Sequence, residues 1–348
     1  KVCEKVKEIF TAIKDFFCEV ILRREKALSF DDDISPKRIV IQGDIHGELD
    51  GLKENLIDAG VIDKNDNWIA PKGTVVTQMG DVIDRGPKSR ESMVFLRKLQ
   101  KKAEKKGSQV IRLLGNHEWM LLQGKDFYAN FSDPKKLAEE IREDILLGRI
   151  RLAYHDGERL YTHAGVRTKV REEIRSKIAI ERRCHISEVS HKDVATSLNE
   201  SIMEMARQDN FPDEDILGWV GKERGGMDLV GGPLWGDDKP LKGSPRALKE
   251  CPQVIAHNPP LAKRKEAIDY DEETGFLNVD AGLCEIYGGN RAYVTIEDPV
   301  SLDQHVVIHE KKEGEWKERE IFKQRAFKVE LEAPILCLPE RIRMVLVA

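Results

Sequence analysis

Apolar and polar positions along this chain follow one recurring device, a short β-branched apolar run that stops abruptly at polar, glycine-containing residues. "RIVIQ" leads into GDIHG, "TVVTQM" into GDVIDRG and "QVIRLL" into GNHE; later "RLYT" leads into HAG, "QVIA" into HNPP and "FLNV" into DAG. Runs of this length and composition predict buried strands. Helical patterns lie between the first three, as in "ESMVFLRKLQKKAEKK", so these segments are predicted to form βαβ-like units. In such sheets ligands collect beyond the carboxyl ends of the strands. The polar tails are therefore expected to converge.

Other patterns frame this series. Val2, Val6, Ile9, Phe10, Ile13, Phe16, Phe17, Val20 and Ile21 recur at three- and four-residue spacing and predict an amphipathic helix from Lys1 to about Arg24. Its polar face carries mixed charge, which favours packing on the main domain over contact with a partner or a membrane surface, although that second use stays open. "SDPKKLAEEIREDILLG" has a capping Ser/Asp, a proline in the first turn and a closing glycine, and so predicts a helix. Helical spacing continues through Val170, Ile174 and Ile178, then Val194, Leu198 and Ile202. Residues 124–229 are accordingly expected to be largely a helical insertion, with the HAG strand passing through it. "RAYVTI" and "QHVVIHE" predict closing strands, and "RIRMVLVA" a last one. The expected plan is an N-terminal helical extension over 1–32, a main domain over 33–320, and a C-terminal extension over 321–348 packed on that domain.

Composition narrows the partners. The 348 residues are 40% hydrophobic and 34% charged, with a net charge of −5, which suits a globular protein and gives no global electrostatic case for nucleic acid. No apolar stretch is long enough to span a bilayer. The six cysteines, at 3, 18, 184, 251, 284 and 337, form no C-x-x-C pair, which argues for reduced thiols and a reducing, cytoplasmic compartment. The chain begins at Lys1, and a removed leader would leave no trace in it. Export into another cell stays open on the same ground.

The strand tails supply Asp44, His46, Asp81, Asn116, His163 and His257. Carboxylate, amide oxygen and imidazole are the donors that a divalent ion such as Mn, Fe or Zn takes, without a thiolate. Six ligands are too many for one ion that must also meet a substrate. With one carboxylate shared they suit two ions roughly 3.5 to 4 Å apart, an arrangement that activates water and clamps a phosphoryl group.

GDIHG, GDVIDRG and GNHE, in this order and with the later HAG and AHNPP, resemble the signature of the phosphoprotein phosphatase family within the calcineurin-like metallophosphoesterases. The resemblance spans about Lys37 to Ile296. It implies an α/β fold, the αββα sandwich of two mixed sheets flanked by helices, and hydrolysis of phosphomonoesters on Ser/Thr, or on Tyr, of a phosphorylated protein or peptide. Carried over residue by residue, Asp44 and His46 would hold the first of two ions, Asp81 would bridge, and Asn116, His163 and His257 would complete the second. Mn is the first choice of metal. His117 would be the general acid, oriented by Asp84, and Arg85 would grip phosphate oxygens, with Asn116 helping to stabilise the spreading charge. The expected reaction is direct attack of a hydroxide bridging the two ions, without a phosphoenzyme. A second phosphate-binding arginine follows a W-S-D-like segment in the family; "PLWGDD" resembles that segment, and Arg246 is the nearest arginine after it, with Arg167 and Arg224 as competitors. Glu118 is expected to brace its loop, and "NVDAG" to line the site.

HAG in place of H-G-G and A-H-N in place of R-A-H-Q point to a bacterial-type or Shewanella-like branch. HAG also occurs in diadenosine tetraphosphatases, so a dinucleoside polyphosphate hydrolase is the alternative, although those relatives carry GNHD where this chain has GNHE. A catalytically silent binding module on the same fold is the third reading, disfavoured because every ligand and the acid are present.

Overall fold

The computed structural model describes residues 34–212, 232–236, 241–260, 266–301 and 304–322. The amphipathic segment Lys1 to Arg24, the 321–348 extension apart from its first two residues, the "RIRMVLVA" strand and Arg224 lie outside the described residues. In chain order the elements are β1 (Arg38–Gln42), α1 (Leu49–Asp58), β2 (Thr74–Gln78), α2 (Ser89–Glu104), β3 (Gln109–Leu113), α3 (Asn116–Leu122), α4 (Pro134–Leu146), β4 (Ile150–Arg151), β5 (Ala153–His155) and β6 (Leu160–Thr162). There follow α5 (Thr168–Arg182), α6 (His191–Gln208), α7 (Pro245–Glu250), β7 (Gln253–Ile255), β8 (Asp269–Asp271), β9 (Phe276–Asn278), β10 (Ala292–Glu297), β11 (His305–Lys312) and β12 (Glu315–Phe322). Every apolar run that precedes a polar motif is a strand.

The strands form two mixed sheets. The first has the order β12-β11-β10-β1-β2-β3-β4, and the second β5-β6-β7-β9-β8. β1 to β4 run parallel, and β10 joins β1 antiparallel. In the second sheet β6, β7 and β9 run parallel between antiparallel edges. Period-two alternation explains how the layers close. Ile39, Ile41, Val75, Ile111 and Leu113 of the first sheet share one core with Tyr161, Val254 and Leu277 of the second. Val40, Val76 and Val110 face the other way, onto Leu52 and Leu56 of α1 and Leu96 and Leu99 of α2. The result is the αββα arrangement.

The stretch expected to be a helical insertion carries α4, α5 and α6, but it also carries β4 of the first sheet and β5 and β6 of the second. Its helices are therefore tied to both sheets. α4 begins as its sequence predicts, with Asp133 accepting from the Lys136 N–H and Pro134 in the first turn. Asp144 on α4 accepts from Arg112 on β3 at 2.9 Å and from Arg97 on α2 at 2.6 Å. Arg112 is fully buried, so this pairing is what makes a guanidinium tolerable inside the strand that leads to GNHE.

Candidate metal centre and phosphate site

The parallel strands deliver their tails to one place because the loops are stitched to each other. The His46 N–H donates to the Asp81 carbonyl at 2.8 Å, the Gly86 N–H to the His46 carbonyl at 2.8 Å, and the Ala256 N–H to the His163 carbonyl at 2.8 Å. Glu118 supplies the remaining brace. Its carboxylate accepts from the backbone N–H groups of Asp81, Val82 and Gly115 at 2.8 to 3.0 Å and of Ile83 at 3.2 Å, the loop-holding role its place in GNHE predicts. The approach is so close that a Cβ on Gly115 would lie 2.2 Å from the Asp81 nitrogen. His46, Asp81, Asp84, Arg85 and His257 all take left-handed backbone, with φ between 47° and 69°. Such conformations cost on the order of 1 kcal/mol or more each and persist only where neighbours enforce them. Here the enforced residues are all candidate site residues.

Asp44, His46, Asp81, Asn116, His163 and His257 converge as buried side chains. Two groups of metal-ligating type meet at Asp81: His46, Asp81 and His117 on one side, and Asp81, His163 and His257 on the other. The Asp81 Oδ2 lies 3.6 Å from His46 Nε2 and 3.5 Å from His163 Nε2, while Oδ1 accepts from the His117 backbone N–H at 2.9 Å. Asn116 Oδ1 lies 3.0 Å from His163 Nε2 and 2.9 Å from His257 Nδ1, and Asp44 Oδ2 is 4.0 Å from His46 Nε2.

Two tautomers follow from the geometry. His46 Nδ1 is 2.9 Å from the Ile83 carbonyl and His163 Nδ1 is 2.8 Å from the Met79 carbonyl. A carbonyl only accepts, so each ring donates from Nδ1 and turns the lone pair of Nε2 toward Asp81, as a metal-ligating imidazole does.

The electrostatics also suit divalent ions. Burial, Asp280 and Asp81 push the Asp44 carboxyl well above the usual carboxylate range, and burial holds Asp280 at about 6. Burial likewise lowers the His46 imidazole to about 4. Burial would raise Asp81 too, but His163 and His117 outweigh it and hold this carboxylate well below its ordinary value. The three buried carboxylates Asp44, Asp81 and Asp280 repel one another beside a His46 ring that burial keeps neutral-leaning, and divalent cations would relieve that repulsion. The donor set therefore fits the metals that the motifs imply.

Beside this cluster stand His117 and Asp84, the pair expected to serve as general acid and its orienting partner. His117 Nδ1 donates to Asp84 Oδ2 at 2.6 Å, which presents Nε2 to the cleft 3.4 Å from the Arg85 guanidinium. Burial pulls the His117 pKa down, but Asp81 and Asp84 more than offset it and hold it above the ordinary histidine value. Asp44, His46, Asp81, Arg85, Asn116, His117, His257 and Asp280 edge a cleft of about 1180 Å³ that is also lined by Tyr128, Trp235, Tyr287, Arg291 and Lys312.

The structure does not bring Arg246 here. It lies on α7 with its side chain 94% exposed, paired with Glu250 one turn on, and is not among the residues lining the cleft. The short helix α7 turns it to solvent. That segment itself does reach the site: Pro233 accepts from the Ala164 N–H of HAG, and the Trp235 ring stands edge-on to His257 at 5.9 Å. Arg167 is half-buried, with Nε and Nη2 lacking hydrogen-bond partners. His155, His185, His191, His305 and His309 stay away from the cleft; His309, for example, stacks on Tyr293 at 4.4 Å. The tyrosines at 128 and 287, which flank Arg85 at 5.2 Å each, belong to no motif that the sequence offers.

An αββα sandwich with ligands at the strand ends defines a class, and comparison with known proteins agrees. Residues 37–238 match the calcineurin-like phosphoesterase family, and the chain belongs to it. It is 39% identical over 107 residues to Shewanella-like protein phosphatase 2 of Arabidopsis thaliana, covering 31% of this chain and 26% of that protein. It is 44% identical over 100 residues to Shewanella-like protein phosphatase 1 of Plasmodium berghei, covering 29% and 26%. The chain thus spans about a quarter of the length of either relative. The crystal structure of a cold-active protein-tyrosine phosphatase of a psychrophilic Shewanella superposes with a TM-score of 0.55 at 18% identity, over 81% of this chain and 80% of that one. This last likeness is one of fold.

Proposed function

We propose that this chain is a metal-dependent phosphoprotein phosphatase that hydrolyses phosphomonoesters on Ser/Thr or Tyr side chains. The observation that carries the proposal is the position of Asp81, one carboxylate oxygen facing a histidine of each metal group while its other oxygen holds the backbone of the general acid, His117. Similarity to the two Shewanella-like protein phosphatases supports the protein substrate, and the cleft has room for a peptide around the phosphate.

Asp44, His46 and Asp81 would hold one ion and Asp81, Asn116, His163 and His257 the other, with Mn as the expected metal. Bound there, the two ions would supply an activated water and positive charge for the phosphoryl oxygens. Arg85 would bind two phosphate oxygens through its planar fork. His117, protonated and steered by Asp84, would give its Nε2 proton to the leaving oxygen, so that a serine, threonine or tyrosine hydroxyl departs neutral. Asn116 would orient the phosphoryl group from the side of the second metal. Among the described residues no helix is long and apolar enough to cross a membrane. Cys184, Cys251 and Cys284 are free thiols, which suits the reducing compartment proposed for the protein.

The test is phosphate release from phosphoserine, phosphothreonine and phosphotyrosine peptides, beside diadenosine tetraphosphate, with added Mn²⁺. Faster turnover of the peptides is expected. Preference for the dinucleotide would replace this reading with the polyphosphate hydrolase, and no release from any of them would leave a binding module.

A further inference from the structure

Arg85 is the one cation at the cleft that the motif places and the motif alone does not hold. It follows Asp84 in a left-handed pair of non-glycine residues, with φ of 69° and 65°, a backbone that springs back unless it is pinned. Its guanidinium has no carboxylate partner among the described residues, and its Nε is buried without a hydrogen-bond partner. An arginine side chain in that state would sweep through many rotamers.

One segment of the α3–α4 connection answers both needs. Asn130 Nδ2 donates to the Arg85 carbonyl at 3.0 Å and to the Gly86 carbonyl at 2.7 Å, which pins the strained backbone. Two residues earlier, the Tyr128 ring lies 5.2 Å from the guanidinium carbon. Tyr287, from a different part of the chain, provides a second ring at 5.2 Å. Tyr128 is itself propped by Phe127 at 4.6 Å and touches the His117 ring at 5.3 Å. Phe127 and Tyr128 are 67% and 45% exposed, so their burial is not what keeps them there.

We propose that Phe127–Asn130 is a positioning clamp for Arg85, in which Asn130 fixes the backbone and Tyr128 fixes the guanidinium. The choice of an aromatic face has a chemical reason. A carboxylate partner would hold the cation equally well but would neutralise it and compete with the incoming phosphate, whereas a ring attracts the cation through its quadrupole and takes up none of its N–H groups. Tyr128 thereby keeps Arg85 pre-organised and fully charged. The inference rests on the reading of Arg85 as the phosphate-binding arginine.

The test is binding of inorganic phosphate to the Mn²⁺-loaded protein by titration calorimetry, with KM and kcat for a phosphopeptide measured alongside. Tyr128→Leu is expected to weaken phosphate binding and raise KM by about tenfold with a smaller change in kcat, whereas Tyr128→Phe, which keeps the ring, stays within about twofold of wild type. Asn130→Ala is expected to fall between them. In an Arg85→Ala background Tyr128→Leu should add nothing, because the effect passes through the guanidinium. Wild-type phosphate affinity in Tyr128→Leu would overturn the clamp, as would a Phe variant as weak as Leu or a full Leu effect without Arg85. If Arg85→Ala alone binds phosphate normally, the fault lies earlier, in the role given to Arg85, and the clamp falls with it.

Discussion

The two sheets contribute unlike halves to the site. The first sheet sends out Asp44, His46, Asp81, Asp84, Arg85, Asn116 and His117 from three adjacent parallel strands, with four of these residues in left-handed backbone and Glu118 buried behind them as a brace. The second sheet sends His163 and His257, held by shorter strands, with Trp235 packed against one ring. The candidate acid His117, its partner Asp84 and the candidate phosphate-binding Arg85 are in the first half, and the second half adds candidate metal ligands and shape. Asp81 is the seam between them. The lesson is that most of the left-handed backbone at the site falls in the half that carries the candidate acid and Arg85, because aiming seven polar side chains from three strands into one volume requires backbone that ordinary turns do not give.

The sharpest way to break this comparison is at the seam. Asp81→Asn is expected to lower turnover by on the order of 10³-fold or more and to reduce metal content at both positions, measured by phosphate release and by elemental analysis of the dialysed protein. Loss of only one equivalent of metal would mean that Asp81 is not shared. Next in size, His117→Asn should cost about 10² to 10⁴ in kcat while the metals stay bound, since it removes a proton donor and leaves the six ligands intact. Activity near the wild-type level in that variant would refute the acid assignment.

Asp84→Asn tests the same residue more gently. Asp81 and Asp84 outweigh burial to hold the His117 pKa above the ordinary histidine value. A general acid works while protonated, so kcat should fall as pH rises through that pKa. Removing the Asp84 charge lowers the pKa, and the alkaline limb of the kcat profile should move to lower pH. An unmoved limb would show that another group sets it. The smallest expected effect is at Arg246: with its side chain 94% exposed and tied only to Glu250, Arg246→Ala should leave KM within about twofold, as surface substitutions away from a site do. A tenfold rise in KM would return this arginine to the phosphate site.

How much of this was legible in the chain depends on how local each signal is. A β-branched run ending at Gly-Asp or Gly-Asn reports strand, turn and exposed donor in fewer than ten residues, and β1, β2, β3, β6, β7 and β9 all appear where such runs predict them. Conversely, residues 124–229 show helical spacing nearly throughout apart from the HAG strand β6, which hides β4 at the edge of one sheet and β5 at the edge of the other. Those strands are two or three residues long, too short for a period of two to stand out. Arg246 failed as a choice for a related reason: distance along the chain from "PLWG" says nothing about the direction in which α7 turns its side chains.

By itself, the sequence determined the strand-tail chemistry, namely which residues could bind metal, which histidine could serve as acid, and that parallel strands would gather them at one edge. Those features are encoded in short contiguous segments whose geometry is set by sterics and hydrogen bonding within a few residues. The tertiary structure decided that Asp81 sits between the two metal groups, that the His46 and His163 rings donate from Nδ1 to the Ile83 and Met79 carbonyls, and that Tyr128, Asn130 and Tyr287 meet at Arg85. Each of those is a meeting of residues distant in the chain. Only the packing of the two sheets and their loops fixes the distances on which such meetings depend.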